Sequence, residues 1–248
     1  MPGYESFSYY YDRLTENVDY PALCDYLCGI FADCGINGGI LLDAACGTGT
    51  LSVLMSGKGF DVIGTDASAD MLSEAQNKMY ESGRDILFLC QSFEELNLYG
   101  TVDAAICTLD GINHLTDEKD VQTAFDKISL FMNPGGVFVF DVNTVYKHRC
   151  VLADNTFVYD LDDVYCVWQN YLDRETDTVE MSLDIFEADG DGWYRSSDSV
   201  TERAYTDERL QKMLANAGFE VVSVYDFMSR STVRENSEKA VYVCRKRA

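Results

Sequence analysis

Between residues 40 and 141 of this chain, five short apolar runs alternate with segments that have the apolar spacing of helices. Short apolar runs between glycines and other turn residues are typical of strands that are buried on both faces. Strands that alternate with helices form a parallel sheet with right-handed crossovers, which binds ligands at the carboxyl ends of its strands. We therefore predict a doubly wound α/β fold. Its first five strands are expected at residues 40–43, 60–66, 86–90, 103–107 and 137–141.

Capping residues and helical spacing place the helices around these strands. Ser68 and Thr206 are interpreted as N-caps, and Gly218 and the sequence Asn133-Pro134-Gly135-Gly136 as helix ends. Two further strands, over residues 219–227 and 240–244, bring the predicted sheet to seven strands. The predicted helices cover residues 20–34, 51–58, 69–81, 117–132 and 207–217.

The alternation of strands and helices stops after Asn143. Short aromatic and β-branched runs replace it, and turn residues such as Asp189-Gly190-Asp191-Gly192 separate them. This pattern predicts an antiparallel β meander inserted after the fifth strand. We expect an α/β domain formed by residues 1–143 and 207–248, with residues 144–206 as an inserted subdomain. The runs in the insertion are residues 164–168, 179–186 and 193–205.

A glycine-containing loop joins the first predicted strand to the next helix. Asp43 ends the strand, and the loop continues as Ala44-Ala45-Cys46-Gly47-Thr48-Gly49. Gly47 and Gly49 lack a Cβ, so the backbone can approach a ligand closely there. Asp66 ends the second strand 17 residues after Gly49, which in a βαβ unit puts a carboxylate beside the ribose of a bound nucleotide. An ordinary surface aspartate is the alternative, but the glycine loop favours nucleoside binding.

The loop differs from that of a dinucleotide site. Such a site has a third glycine in the pattern GxGxxG, and this chain has Ser52 at that position. No Lys or Arg stands at the start of the following helix to bind a pyrophosphate. Asp43 instead suits a ligand with a positively charged end. The sequence therefore favours a cationic nucleoside.

Polar residues follow the fourth and fifth strands at the same predicted edge of the sheet. Asp110, Asn113 and His114 come after the fourth strand, and each can bind or deprotonate a second substrate. His114 is the natural candidate for a base, because histidine titrates near neutral pH. A helix cap and a hydrogen-bonded loop histidine are the alternative interpretations. Asn143, just after the fifth strand, is a candidate to bind the same substrate.

The chain is strongly acidic, with a net charge of -23. This charge disfavours nucleic acid as a partner, since only Arg245-Lys246-Arg247 forms a locally basic segment. Neither a signal peptide nor an apolar run of membrane-spanning length is visible, which predicts a cytoplasmic protein without membrane contact.

The cysteines and histidines indicate no metal centre. Nine cysteines without a framework spacing are expected to be reduced thiols. Cys24, Cys28 and Cys34 do not have the spacing of an iron-sulfur motif, so we interpret them as core residues. The two histidines, His114 and His148, do not make a plausible ligand set.

Taken together, these motifs resemble those of the class I S-adenosylmethionine-dependent methyltransferases over nearly the whole chain. The glycine loop, Asp66, residues 88–93 and 103–114, and Asn133-Pro134-Gly135-Gly136 follow that family's order and spacing. The resemblance implies a Rossmann-like fold, S-adenosylmethionine as cofactor and transfer of its methyl group. The chain is most similar to a small-molecule branch that resembles glycine N-methyltransferases and bacterial relatives of unassigned substrate.

The resemblance also implies roles for individual residues. Asp66 would accept hydrogen bonds from the ribose hydroxyls, Ser92 and Phe93 would flank the adenine, and Leu109 would face the methionine chain. The family usually has Gly where this chain has Ala45, and often Asp where it has Ser92. The residues expected at the cofactor are Tyr11, Tyr20, Asp43, Ala45, Gly47, Gly49, Asp66, Ala67, Met71, Ser92, Phe93 and Leu109.

The insertion starts at the end of the fifth strand, so it is expected to cover the methyl acceptor rather than the adenine. It has fourteen Asp and Glu against five Lys and Arg, which suits either a cationic acceptor or a solvated outer face. Trp168, Tyr171 and Trp193 are expected near the pocket or packed on the core. A lid and a dimer surface, the latter implying a homo-oligomer, remain alternative roles.

Three functions fit this sequence. The first is methylation of a small molecule, the second is methylation of RNA or protein, and the third is a non-catalytic cofactor-binding protein on the same fold. A localised basic surface would favour the second, and a blocked acceptor pocket the third.

Overall fold

The computed structural model describes residues 11–13, 15, 17–190 and 192–248. Eleven strands form two sheets in this part of the chain. The strands are β1 Gly39–Ala44, β2 Phe60–Asp66, β3 Leu87–Cys90, β4 Val102–Cys107, β5 Met132–Asn143, β6 Thr156–Asp160, β7 Val164–Asp173, β8 Thr178–Asp189, β9 Gly192–Arg203, β10 Phe219–Asp226 and β11 Lys239–Lys246.

The larger sheet has seven strands in the order β10-β11-β5-β4-β1-β2-β3. Only β11 runs against its neighbours, since it pairs antiparallel with both β5 and β10 while the other pairings are parallel. The mostly parallel, Rossmann-like sheet that the sequence predicts is therefore confirmed. Its order reverses beside β1, so a crevice opens at the carboxyl ends of β1 and β4, where doubly wound folds bind ligands.

Helices cover both faces of this sheet because alternate side chains of the central strands are buried on opposite sides. In β4, Ala104 and Ile106 pack on one face while Ala105 and Cys107 pack on the other. α1 and α2 supply side chains to the first core, and α4 and α5 supply them to the second. The helices are α1 Tyr20–Asp33, α2 Thr50–Gly57, α3 Ala69–Ser82, α4 Glu118–Leu130 and α5 Asp207–Asn216.

The insertion forms the smaller sheet, antiparallel in the order β6-β7-β8-β9. Its three predicted runs correspond to β7, β8 and β9, which confirms an antiparallel sheet after the fifth strand. The sequence did not predict β6, or the π-helix Lys147–Leu152 that leads into it. Val164, Cys166, Met181 and Ile185 build a separate small core under this sheet. The division into two domains at residues 143 and 207 stays a prediction.

Two details of the predicted turns and caps differ in the structure. β5 begins at Met132, so Asn133 to Gly136 lie within the strand, where a register shift against β4 accommodates them. Thr206 stands at the N-cap of α5, but its side chain makes no capping hydrogen bond. Ser68, by contrast, accepts a hydrogen bond from the Met71 amide, as predicted.

The insertion's aromatic side chains divide between its two faces. Trp168 lines a cavity described below, but Tyr171 and Trp193 are 68% and 56% exposed, so the prediction that all three lie near the pocket or core was wrong. Tyr171 lies an odd number of positions from Trp168 and so belongs to the opposite face of the same strand.

Cysteine placement agrees with the core interpretation. Cys24 is fully buried, with its Sγ 3.5 Å from Met55 Sδ, and Cys28 and Cys34 pack partly buried against the same core. No helix in the described part of the chain is long and apolar enough to cross a membrane.

Candidate active site

The glycine loop between β1 and α2 is held in place by the carboxylate of Asp66. Asp66 Oδ2 accepts a hydrogen bond from the Gly47 amide at 2.8 Å, and its Oδ1 accepts one from the Ser68 amide at 2.9 Å. Ala45 and Gly47 have positive φ angles of 57° and 54°. Alanine at 45 therefore adopts a left-handed conformation that favours glycine, which accounts for the family's usual residue there.

A first cavity opens above this loop at the carboxyl ends of β1, β2 and β4. Asp66 of β2 lies at its edge, and α2 and the segment after β3 complete its wall. Eleven of the residues expected at the cofactor line this cavity: Tyr11, Tyr20, Asp43, Ala45, Gly47, Asp66, Ala67, Met71, Ser92, Phe93 and Leu109.

Gly49 is the exception. It does not line the first cavity. A Cβ at Gly49 would lie 2.7 Å from Ala75 Cβ and 3.0 Å from Phe88 Cζ. The glycine is therefore required by the close packing of the loop on α3 and β3, together with its φ of 71°, and not by contact with a ligand.

Buried acidic groups give the first cavity its electrostatic character. Burial raises the pKa of Asp43 to about 7, against a hydrogen bond from Ser52 Oγ at 2.5 Å that lowers it and the charge of Asp66 that raises it further. Burial also raises the pKa of Asp66, although the amides of Ser68 and Gly47 oppose this shift. A ligand cation would stabilise the ionised form of both carboxylates.

Replacing Asp43 with asparagine is expected to change the pH dependence of stability in the ligand-free protein. The folded-state pKa of Asp43 is raised to about 7. The contribution of Asp43 to the free energy of unfolding is therefore fully present below its unfolded-state pKa and is lost as the pH rises through about 7. Asparagine does not ionise, so the Tm of Asp43→Asn relative to wild type should rise from acidic to alkaline pH by about 2–4 °C or more. Exposed Asp61 of β2 is the matched control, since Asp61→Asn should show no such slope. Parallel pH profiles for wild type and Asp43→Asn would contradict this assignment.

A second cavity, of about 320 Å³, adjoins the first. Tyr11, Leu109 and His114 line both, so the two cavities meet at these side chains. The inserted sheet supplies an apolar wall, and the same cavity is lined by four charged residues, which we name the polar floor. The wall includes Phe157, Tyr159, Trp168, Met181, Leu183 and Val200, and the polar floor consists of Asp110, Lys147, Glu202 and Lys239.

The loop after β4 is fixed by Asp141 at the point where the cavities meet. Leu109 and Asp110 both have positive φ, 55° and 66°, which non-glycine residues rarely adopt. Asp141, 2% exposed, accepts hydrogen bonds from both of their amides, at 2.8 and 3.2 Å. This carboxylate therefore holds a strained loop in one conformation.

Lys239 of β11 also contacts the loop after β4 and the Asp141 carboxylate that holds it. Its Nζ lies 2.5 Å from Asp110 Oδ1 and 3.4 Å from Asp141 Oδ2. Burial alone would raise the pKa of Asp110, but the charges of Lys239 and Lys147 outweigh it and hold that pKa well below its usual range. Burial raises the pKa of Asp141, in spite of Lys239. Asp110 is therefore an ionised group of the polar floor, paired with Lys239, and not a free base.

Asn113 and Asn143 do not line either cavity, contrary to the prediction. Asn113 is fully buried; its Nδ2 donates to the carbonyls of Asn143 and Arg203, and its Oδ1 accepts from the Asn143 amide. Asn143 Nδ2 donates to Asp110 Oδ2 and Glu202 Oε2, both at 2.9 Å, and its Oδ1 accepts from Lys147 Nζ at 2.8 Å. Asn143 therefore binds three side chains of the polar floor, and Asn113 holds the backbone of Asn143 in place.

Sequence reasoning missed Lys147, Glu202 and Lys239, which lie in the π-helix, β9 and β11. It also missed a link that ties the N-terminal segment to the glycine loop: Thr48 Oγ1 donates to Asp12 Oδ1 at 2.7 Å, and Lys78 contacts both residues. In the sequence, polar Asp141 and Asn143 at the end of an apolar run already indicated a polar site there. Lys147, Glu202 and Lys239 come together only through the tertiary fold.

The strand order, the glycine loop with its strand-end aspartate and the two adjoining cavities define a class I S-adenosylmethionine-dependent methyltransferase. Residues 41–136 match the family described as a methyltransferase domain. The chain is 30% identical over 244 residues to the Bacillus subtilis (strain 168) protein YqeM, which carries a provisional methyltransferase name, covering 98% of this chain and 97% of that one. It therefore belongs to this methyltransferase family.

Two further comparisons agree. A crystal structure of an S-adenosylmethionine-dependent methyltransferase from Clostridium acetobutylicum ATCC 824 superposes with a TM-score of 0.90 at 32% identity, covering 99% of both chains. A glycine/sarcosine N-methyltransferase from Halorhodospira halochloris is 36% identical over 103 residues, which are 41% of this chain and 38% of that protein. The protein is an S-adenosylmethionine-dependent methyltransferase.

The residues of the first cavity fit this cofactor. Each Asp66 oxygen accepts one backbone hydrogen bond, which leaves it a further lone pair for a ribose hydroxyl. Asp43 lines the cavity with a carboxyl group whose ionised form a ligand ammonium would stabilise. Tyr11, Tyr20 and Phe93 add aromatic faces, which attract cations such as a sulfonium.

S-adenosylhomocysteine is expected to bind to the protein, whereas NAD is not. Ser52 is fully buried and hydrogen-bonded to Asp43, so the third-glycine position of a dinucleotide site is filled by a side chain. Titration calorimetry with each ligand tests this difference. Binding of NAD without any response to S-adenosylhomocysteine would overturn it.

Proposed function

We propose that this enzyme methylates a small molecule that binds in the second cavity. The observation that carries the proposal is the junction of the two cavities at Tyr11, Leu109 and His114. A methyl group must pass between two bound molecules in van der Waals contact, and this junction is the place where the cavities allow such contact. The volume of about 320 Å³ suits a small ligand.

Within the first cavity, we propose cofactor contacts residue by residue. Asp66 binds the ribose hydroxyls, Ser92 and Phe93 flank the adenine, and Leu109 faces the methionine chain. Tyr11 closes the junction between the cavities. The position of these side chains along one continuous cavity, in the order of the strands, supports this arrangement.

The inserted sheet is proposed to be the lid of the acceptor site. Its apolar wall lines the second cavity, while no described residue of the insertion lines the first. Of the described acidic residues in the insertion, only Glu202 lines the second cavity. This favours a solvated outer face for most of the insertion's negative charge over a cluster that binds a cation.

The proposed acceptor has an apolar body and a polar group. The polar floor presents two carboxylates and two ammonium groups to the same cavity as Trp168 and the other apolar side chains of the lid. Curated relatives that share part of this chain include glycine N-methyltransferases, whose acceptor is small and polar, as their names state.

When bound, S-adenosylmethionine supplies an activated methyl group on a sulfonium. The protein's own contribution is then chiefly to align the acceptor atom with that methyl group for in-line displacement, and such positioning is worth up to about 7–11 kcal/mol. The strained loop at Leu109 and Asp110, fixed by Asp141, provides a rigid edge for this alignment. His114, at the junction, is placed to take a proton from the acceptor.

A screen of metabolites with methyl-labelled S-adenosylmethionine tests the proposal. Labelled product is expected from a small molecule, and Val200→Trp, which fills the second cavity, should abolish it while S-adenosylhomocysteine still binds. Labelling of RNA or protein without labelling of any small molecule would instead support the second function. The net charge of -23 and the small volume of the second cavity favour the first function, in a cytoplasmic enzyme.

A further inference from the structure

Glu202 of β9 lies between the only two histidines of the chain. Its side chain is buried, and its Oε2 lies 3.6 Å from His148 Nε2 while its Oε1 lies 4.0 Å from His114 Nε2. Asn143 Nδ2 donates to Oε2 at 2.9 Å and so fixes the orientation of the carboxylate. His148 is completely buried, whereas His114 lines both cavities.

The surroundings of His148 determine where its hydrogens lie. Nδ1 is 3.0 Å from the carbonyl oxygen of Asp177, which can only accept, so Nδ1 must carry a hydrogen. Nε2 is the single buried side-chain polar atom in the described part of the chain without a hydrogen-bond partner. An unprotonated Nε2 would direct its lone pair at the lone pairs of Glu202, an arrangement that is costly in a buried site.

A proton on Nε2 removes this conflict, because imidazolium and carboxylate then attract each other and a small side-chain rotation closes the hydrogen bond. We propose that His148 and Glu202 hold one proton in common and that this pair fixes Glu202 as the counter-charge of His114. Glu202 Oε2 is occupied by His148 and Asn143, while Oε1 remains on the side of His114. Glu202 and His148 are therefore positioning residues that act through His114.

The hydrogen bonds of the pair indicate which partner holds the proton. Glu202 Oε2 already accepts a hydrogen bond from Asn143 Nδ2, so the carboxylate is the acceptor of the pair. Nδ1 of His148 faces a carbonyl, so Nε2 is the nitrogen that turns towards Glu202. We therefore assign the shared proton to His148 Nε2.

In the proposed reaction, Glu202 would orient His114 as the carboxylate of a catalytic triad orients its histidine. Glu202 Oε1 lies on the Nε2 side of His114, at the junction of the two cavities. When an N–H or O–H acceptor gains a methyl group, its N–H or O–H bond breaks, the electron pair stays on the acceptor atom and the proton moves to the imidazole of His114, whose positive charge Glu202 then balances. This step rests on the proposed function, whereas the proton shared by His148 and Glu202 does not.

Nitrogen-15 spectra of the imidazole rings test the proposal directly, since the chain has only two of them. In the wild type at neutral pH, His148 is expected to carry hydrogens on both ring nitrogens. In Glu202→Gln, the Nε2 of His148 should lose that hydrogen. Glu180→Gln, which removes an exposed carboxylate of β8, should leave both rings unchanged.

A His148 ring with a bare Nε2 in the wild type would overturn the proposal, even where Glu202→Gln fails to fold. Identical His148 spectra in the wild type and a folded Glu202→Gln would overturn it as well. Neither measurement needs a methyl acceptor, so a negative metabolite screen would count against the proposed function and leave this inference standing.

Discussion

Replacing Asp66 with asparagine is expected to weaken the binding of S-adenosylhomocysteine by about ten- to a hundredfold. The ribose hydroxyls lose a charged acceptor, and hydrogen bonds to charged groups are worth roughly 1.5–3 kcal/mol. Asparagine also has only one accepting oxygen, so it cannot accept from both the Gly47 and the Ser68 amide as Asp66 does. Titration calorimetry gives the Kd of each protein.

The matched control for this variant lies on the same strand. Asp61 of β2 is exposed, and Asp61→Asn should bind the ligand with an unchanged Kd. The free energy of unfolding of Asp66→Asn should change much less than its free energy of ligand binding. Burial already raises the pKa of Asp66, and a neutral amide is desolvated at lower cost than a carboxylate. Wild-type affinity in Asp66→Asn would remove this residue from the cofactor site.

The α/β part of the fold was predictable because its signals are local. The second strand was predicted at residues 60–66, the bounds of β2, since its apolar residues and flanking glycine lie within a single segment. Ser68 was recognised as a helix cap because capping depends on the residue and its immediate successors. The cofactor site followed for the same reason, as most of its residues directly succeed predicted strands.

The polar floor was not predictable because it is assembled from distant segments. Lys239 meets Asp110 only because β11 inserts next to β5, and Glu202 reaches Asn143 only at the end of the inserted sheet. A polar residue after a strand can face a ligand or a neighbouring backbone carbonyl. Asn113 does the latter, and no pattern in its own segment distinguishes the two cases.

Gly49 shows a related limit of sequence reasoning. A small residue in a ligand-binding loop is required either by the ligand or by the protein's own packing. Both requirements leave the same glycine in the sequence, and only the distances to Ala75 and Phe88 identify packing as the cause. The face on which each side chain of the inserted sheet lies could have been predicted from the sequence. The two-residue period of a strand puts Trp168 and Tyr171 on opposite faces.

Replacing residues 155–201 with a Gly/Ser loop is expected to abolish methyl transfer while cofactor affinity stays within about threefold of the wild type. This segment is shorter than the predicted insertion, residues 144–206, because two of its last residues must remain. The Arg203 amide donates to the Asn113 carbonyl, and Tyr205 packs in the core beneath α4 and α5. All described residues that line the first cavity lie between Tyr11 and Leu115, whereas the apolar wall of the second cavity would be removed.

The experiment compares the S-adenosylhomocysteine Kd and the turnover of whichever acceptor the labelled screen identifies. A conservative control is Tyr171→Ser, which alters an exposed side chain on the outer face of the sheet and should preserve both. Loss of turnover with retained binding would establish the insertion as the acceptor lid, because an open second cavity cannot exclude water or align the acceptor atom. A shortened protein that folds, loses cofactor affinity and still methylates its acceptor would assign the insertion to the opposite side of the active site.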